Sequence, residues 1–208
     1  ANPYSDANIS FATPSGWNVE RLSADSSVGV LSFNASNDCF FFGIPNPNTA
    51  TSSAEAARNS TNPMSQSEWI TAASAAQMRR DFFPSGATVV SSSVDTSGFW
   101  PVQRAQLQGS KTVQAAIQVR PGYELRAFCA GSANFDQIFS SVAHPNDATW
   151  RTQAESASGD RAARQAAKEA AAAQQAQQTA QPQQSEADGV NDGVSRSSRD
   201  PRARRRGN

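Results

Sequence analysis

Histidine occurs once in this chain, at His144, and cysteine twice, at Cys39 and Cys129. Such scarcity excludes much catalytic and metal chemistry. One imidazole and two thiols ninety positions apart give no zinc spacing, and there is no Cys-x-x-Cys redox pair. The carboxylates are scattered without the spacing of a calcium loop. Neither a Gly-rich phosphate loop nor a Gly-x-Ser-x-Gly elbow occurs. No cofactor and no metal are therefore expected, and a Ser/His/Asp triad would have to pass through His144. Lysine is nearly missing too, with Lys111 and Lys168 against sixteen arginines. No run approaches the roughly 18 apolar residues of a membrane-spanning helix.

What is present is unevenly spread over the 208 residues. The formal charge is zero, yet residues 1–150 hold 8 basic and 11 acidic side chains, and residues 151–208 hold 10 and 7. All 17 aromatics lie in residues 1–150. Beyond them, Val190 and Val194 are the only large apolar side chains. A segment with so little to bury cannot offset its conformational entropy by packing. The reading is thus a globular domain over 1–150 and a low-complexity extension over 151–208, disordered or a solvated helix. Asp160–Ala180 has high helix propensity without an apolar stripe. Arg196–Arg206 holds six arginines against one aspartate.

Within the first part, Ile9, Phe11 and Ala12 lead through Thr13-Pro14-Ser15-Gly16 to Trp17, Val19 and Arg21. This predicts a strand pair across a turn. Val28–Phe33 reads as a further strand, and Cys39–Ile44, apolar except at Gly43, as a central strand covered on both faces. Residues 45–64 read as a long loop with a helical turn at Ala54–Arg58. Ser65-Gln66-Ser67-Glu68 matches a capping box. It opens a helix with Trp69, Ala73, Ala76 and Phe83 on one face and Arg79, Arg80 and Asp81 elsewhere, stopped by Pro84 and Gly86. A meander follows over Val89–Val94, Phe99–Leu107, Val113–Val119 and Tyr123–Cys129, with a type II turn at Arg120-Pro121-Gly122-Tyr123. Asn134–Val142 reads as a closing helix ended by His144-Pro145. The fold class is α+β, an antiparallel β-sheet flanked by helices.

The candidate sites are few. Cys39 and Cys129 either bridge neighbouring strands or remain two buried thiols; the even count favours the bridge. Phe99 and Trp100 read either as core or as the lining of a partner-binding groove, since an exposed aromatic pair is costly without a partner. His144 at a helix C-terminus suits the macrodipole there. Arg202, Arg204, Arg205 and Arg206 could meet an anionic polymer or membrane surface through charge alone, with no aromatic interleaved for base stacking. The start at Ala1, the richness in Ser, Thr, Asn and Gln, and the paired cysteines predict an exported chain with its signal peptide removed.

The segment Ile9-Ser10-Phe11-Ala12-Thr13-Pro14-Ser15-Gly16-Trp17-Asn18-Val19 resembles the PsbP-like superfamily, in which a strand bearing an aromatic precedes Pro-x-Gly-Trp and a second strand. Phe135-Asp136-Gln137-Ile138-Phe139-Ser140-Ser141-Val142 is similar to that family's C-terminal helix. The resemblance spans about residues 4–145 and implies an α/β/α sandwich around an antiparallel sheet. It also implies an exported bacterial scaffold that binds a protein partner without catalysis, and it supplies no catalytic set to carry over. The expected function is a non-catalytic periplasmic or secreted protein working through protein contact as scaffold, adaptor or chaperone. The alternatives are an envelope- or nucleic-acid-associating module using the arginine tail, and a hydrolase using His144.

Overall fold

The computed structural model describes residues 1–23, 26–58, 61–75 and 86–179. Two strands, β1 (Asn2–Ser5) and β2 (Ser10–Thr13), form a small antiparallel ribbon. The main sheet holds β3 (Asn18–Arg21), β4 (Val30–Phe33), β5 (Asp38–Pro45), β6 (Thr88–Asp95), β7 (Val102–Gln108), β8 (Thr112–Arg120) and β9 (Tyr123–Ala130). Its order is β3-β4-β5-β9-β8-β7-β6, antiparallel throughout. Among the described residues the helices are α1 (Ser53–Ala56), α2 (Gln66–Ala75), α3 (Phe135–Ser140) and α4 (Asp147–Thr179). The chain divides into two units, Ala1–Gln165 and Ala166–Asn208. In the second unit, residues 166–177 are helical and solvent-exposed.

Two apolar layers clamp the sheet. On one face Phe40, Phe42, Leu107, Ile117 and Phe128 pack under Trp69 of α2, which is fully buried. On the other, Ile9 in the β1–β2 turn, Phe11 of β2, and Ile138 and Phe139 of α3 cover Phe41, Leu125 and Ala127. Strand alternation produces this division, since successive residues of β5 and β9 serve opposite layers. The apolar run of β5 thus lies inside the sheet with both faces covered, as its composition predicts.

The capping box forms as read: the Glu68 amide donates to Ser65 Oγ at 3.3 Å, and the Ser65 amide donates to Glu68 Oε2 at 2.7 Å. The positions from Ala76 to Pro84, including Arg79, Arg80, Asp81 and Phe83, lie outside the described residues.

The expected strand pair across Pro14-Gly16 is corrected. Strand β2 pairs backwards with β1, while β3 pairs with β4, Asn18 opposite Phe33. Alternation shows which residues face the core, but not which strand supplies the hydrogen bonds. Here Phe11 of β2 and Trp17, just before β3, both enter one core layer. The turn, with Gly16 at φ 86°, passes the chain between them.

Helix α4 begins before Trp150 and continues past it. Ala154 is buried, and Gln153 reaches Ser53 of α1 at 3.4 Å, so the first unit carries on beyond the last large apolar residue.

Candidate functional site

Pro101 delays the start of β7 and leaves Phe99 and Trp100 in the preceding loop. The two rings meet edge to face, 4.9 Å between centroids. Both are half-buried, and each lies under an arginine: the Arg120 guanidinium is 4.3 Å from the Trp100 ring, and that of Arg151 is 5.0 Å from Phe99. The pair therefore anchors two cations against its rings.

Arg120, at the end of β8, is 1% exposed. Its Nε donates to Asp147 Oδ1 at 2.6 Å and its Nη2 to Asp147 Oδ2 at 3.1 Å, a bidentate fork. Nη2 also donates to Gln118 Oε1 at 2.8 Å, and Nη1 to the Val119 carbonyl at 3.2 Å. Burial pulls the guanidinium below its ordinary range, and Asp147 opposes that pull. Because Asp147 is the first residue of α4, this pair pins the helix to the sheet. Sequence reading missed it, treating Arg120 as a turn residue. The signal was an arginine on the same strand face as Ala116 and Gln118, followed by a helix opening with aspartate.

His144 does not sit where the macrodipole favours a cation. Helix α3 ends at Ser140, so His144 belongs to the N-terminus of α4, where the dipole carries partial positive charge. Its Nδ1 accepts from the Asn146 amide at 3.0 Å, and its own amide donates to Asp147 Oδ2 at 3.1 Å. The ring packs against Tyr123 and Trp150, with centroids 4.3 and 4.5 Å away. Since Nδ1 accepts, the proton resides on Nε2. Burial pushes the imidazole below its ordinary value of 6.5, and Arg120 adds to that, against the carboxylates of Asp147 and Asp6. A hydrolytic triad needs an imidazole nitrogen on a hydroxyl. Here Nδ1 is occupied by a backbone amide, and buried Nε2 has no hydrogen-bond partner.

The short α3 covers β5 and β9 and meets β7 at Arg104, whose guanidinium lies 4.9 Å from the Phe139 ring. Over β6, β7 and β8 three adjoining grooves of about 320, 500 and 540 Å³ remain. They share Gln114, Asp136 and Phe139 at one junction, and Asp95, Arg104 and Ser140 at the next, so they form one trough. Ser91, Ser93 and Gln114 make it polar, and Phe99 and Trp100 close one end. Arg104 bonds Asp136 at 3.2 Å, while Asp95 accepts from the Ser97 amide and hydroxyl at 2.9 and 2.6 Å. The middle groove thus carries one cation, Arg104, against two carboxylates, Asp95 and Asp136, while the end groove adds Arg120 and Arg151 against Asp147.

Cys39 and Cys129 face each other across β5 and β9 and form a disulfide, with both side chains fully buried. Among the described residues no cluster of His, Cys, Asp and Glu has a metal-binding arrangement, and no helix is long and apolar enough to cross a membrane. Arg202, Arg204, Arg205 and Arg206 lie outside the described residues. No family model and no curated protein matches the chain. In structure the chain is similar to cyanobacterial PsbP (CyanoP) from Synechocystis sp. PCC 6803, at 13% identity and a TM-score of 0.45, over 68% of this chain and 91% of that one.

Proposed function

We propose that this is a non-catalytic binding protein of an oxidising compartment, periplasmic or secreted, that holds a segment of a protein partner in the trough over β6–β8. The carrying observation is the continuous trough that the described residues leave on one face of β6–β8, beside α3 and the start of α4. It is lined by serine and glutamine groups that suit main-chain amides and closed by an aromatic pair. In the middle groove of a trough whose charges balance overall, two carboxylates against one arginine favour a partner segment bearing a basic side chain at that point. The buried disulfide supports the compartment.

The test is cross-linked capture from an envelope extract with three baits: the full chain, a chain ending at Gln165, and the full chain carrying Gln114→Arg and Asp136→Arg. The expected result is one partner cross-linked to the first two baits and lost from the third. Capture that survives the trough substitutions, needs residues beyond Gln165 and weakens steeply with salt would overturn the trough. It would assign the contact to Arg202, Arg204, Arg205 and Arg206, on an anionic polymer or membrane surface.

A further inference from the structure

Among the described residues, the main sheet ends at β3 on one side and β6 on the other. An edge strand presents unpaired backbone donors and acceptors, and proteins usually blunt it with charge, proline, shortness or a bulge. Strand β3 is four residues long and carries Glu20 and Arg21. Strand β6 is eight residues long, Thr-Val-Val-Ser-Ser-Ser-Val-Asp, with its one charge at the last position. A bulge at Val90 breaks its register with β7, and Val90 is 57% exposed. Beyond the bulge, Ser91–Asp95 lies in regular register against Gln106–Val102. Among the described residues, the length of edge free of bulge and proline is therefore Ser91–Asp95, with a charge only at its end.

We propose that Ser91–Asp95 pairs antiparallel with the same segment of a second copy of this chain, joining two seven-stranded sheets about a twofold axis through Ser93. A self-pairing strand must be complementary to its own reverse, and this one is. Ser93 meets Ser93, Ser92 meets Val94, and Ser91 meets Asp95. No like charges oppose, and each carboxylate faces a hydroxyl that can donate to it. The two aspartates stand at opposite ends of the ladder, about 13 Å apart at strand rise. Small serines at the centre let the backbones reach ladder spacing, and Val90 of each copy comes opposite Thr96 of the other. Ser91, Ser93 and Asp95 also line the trough, so the same axis runs two troughs into one.

The introduced thiol of full-length Ser93→Cys has no free cysteine to compete with it, because Cys39 and Cys129 are joined. Mild oxidation of this variant should give a covalent dimer far faster than Val19→Cys on the opposite edge. Light scattering on the wild type should show the mass rising from one chain to two with concentration. Ser93→Lys, with an unchanged circular dichroism spectrum, should stay at one chain. A wild type that keeps single-chain mass at every concentration would overturn the proposal. So would cross-linking of Ser93→Cys no faster than Val19→Cys, or a folded Ser93→Lys that still dimerises. None of these readouts involves the partner of the trough, so the two readings stand or fall separately.

Discussion

His144 is held as a neutral imidazole by a backbone amide on one nitrogen and by aromatic walls on its faces. The unfolded chain takes up a proton below about pH 6.5 that the folded chain resists. Stability is therefore whole above that pH and falls as pH drops from 6.5 toward the lowered folded value. A urea midpoint measured at pH 7 and pH 5 should fall, and His144→Asn, which keeps an acceptor for the Asn146 amide but cannot titrate, should flatten the slope. Beside it, Asp147→Asn leaves the buried Arg120 guanidinium without its countercharge. The expected loss is about 3–5 kcal/mol in chemical denaturation, against little change for Asp136→Asn, whose side chain is 86% exposed. His144 was visible in sequence as a lone histidine beside a proline. Which helix it served was not, because only six residues separate the end of α3 from the start of α4. The Arg120–Asp147 fork spans 27 positions, and pairing over such a distance leaves no local pattern.

The elements themselves were largely legible wherever a local rule acts. The Ser65/Glu68 cap, the Pro121-Gly122 turn with Gly122 at φ 71°, the late start of β7 and the Asn134 cap of α3 follow from chemistry within four residues. Partner choice between strands does not, which is why the Pro14-Gly16 turn was misread as a hairpin. Nor was the clamp at Asn37 readable: its Oδ1 accepts from the amides of Ser132 and Ala133 at 2.8 and 2.9 Å, tying the β4–β5 turn to the loop before α3. Gly131 makes room for it, at φ 134°, where an added Cβ would collide with Asn37 Oδ1 and the Ser36 carbonyl. Asn37→Ala should cost about 1–3 kcal/mol by stranding two amides. Gly131→Ala should be destabilising through the same contact, and thermal melts of the two single variants and the double should show non-additive losses.

At the scale of the whole molecule, the sheet is two meanders, β3-β4-β5 and β6-β7-β8-β9, joined along β5 and β9. Among the described strands of the main sheet, that seam is the one pairing not made by consecutive strands. Cys39 and Cys129 stand directly on it, 90 positions apart. In the chain-entropy account a loop of that size contributes roughly 4–5 kcal/mol. The urea midpoint of the Cys39→Ala, Cys129→Ala variant should drop accordingly, and wild type treated with a reductant should match it only once unfolded, because both sulfurs are buried. The placement of the bridge also governs speed. Each meander can assemble from near neighbours, whereas the seam must wait for distant stretches of chain to find each other, and such searches slow folding. An oxidised chain has already completed that search. Refolded from denaturant, it should return to the native state faster than its reduced counterpart, with the gain confined to the step that zips the two halves together.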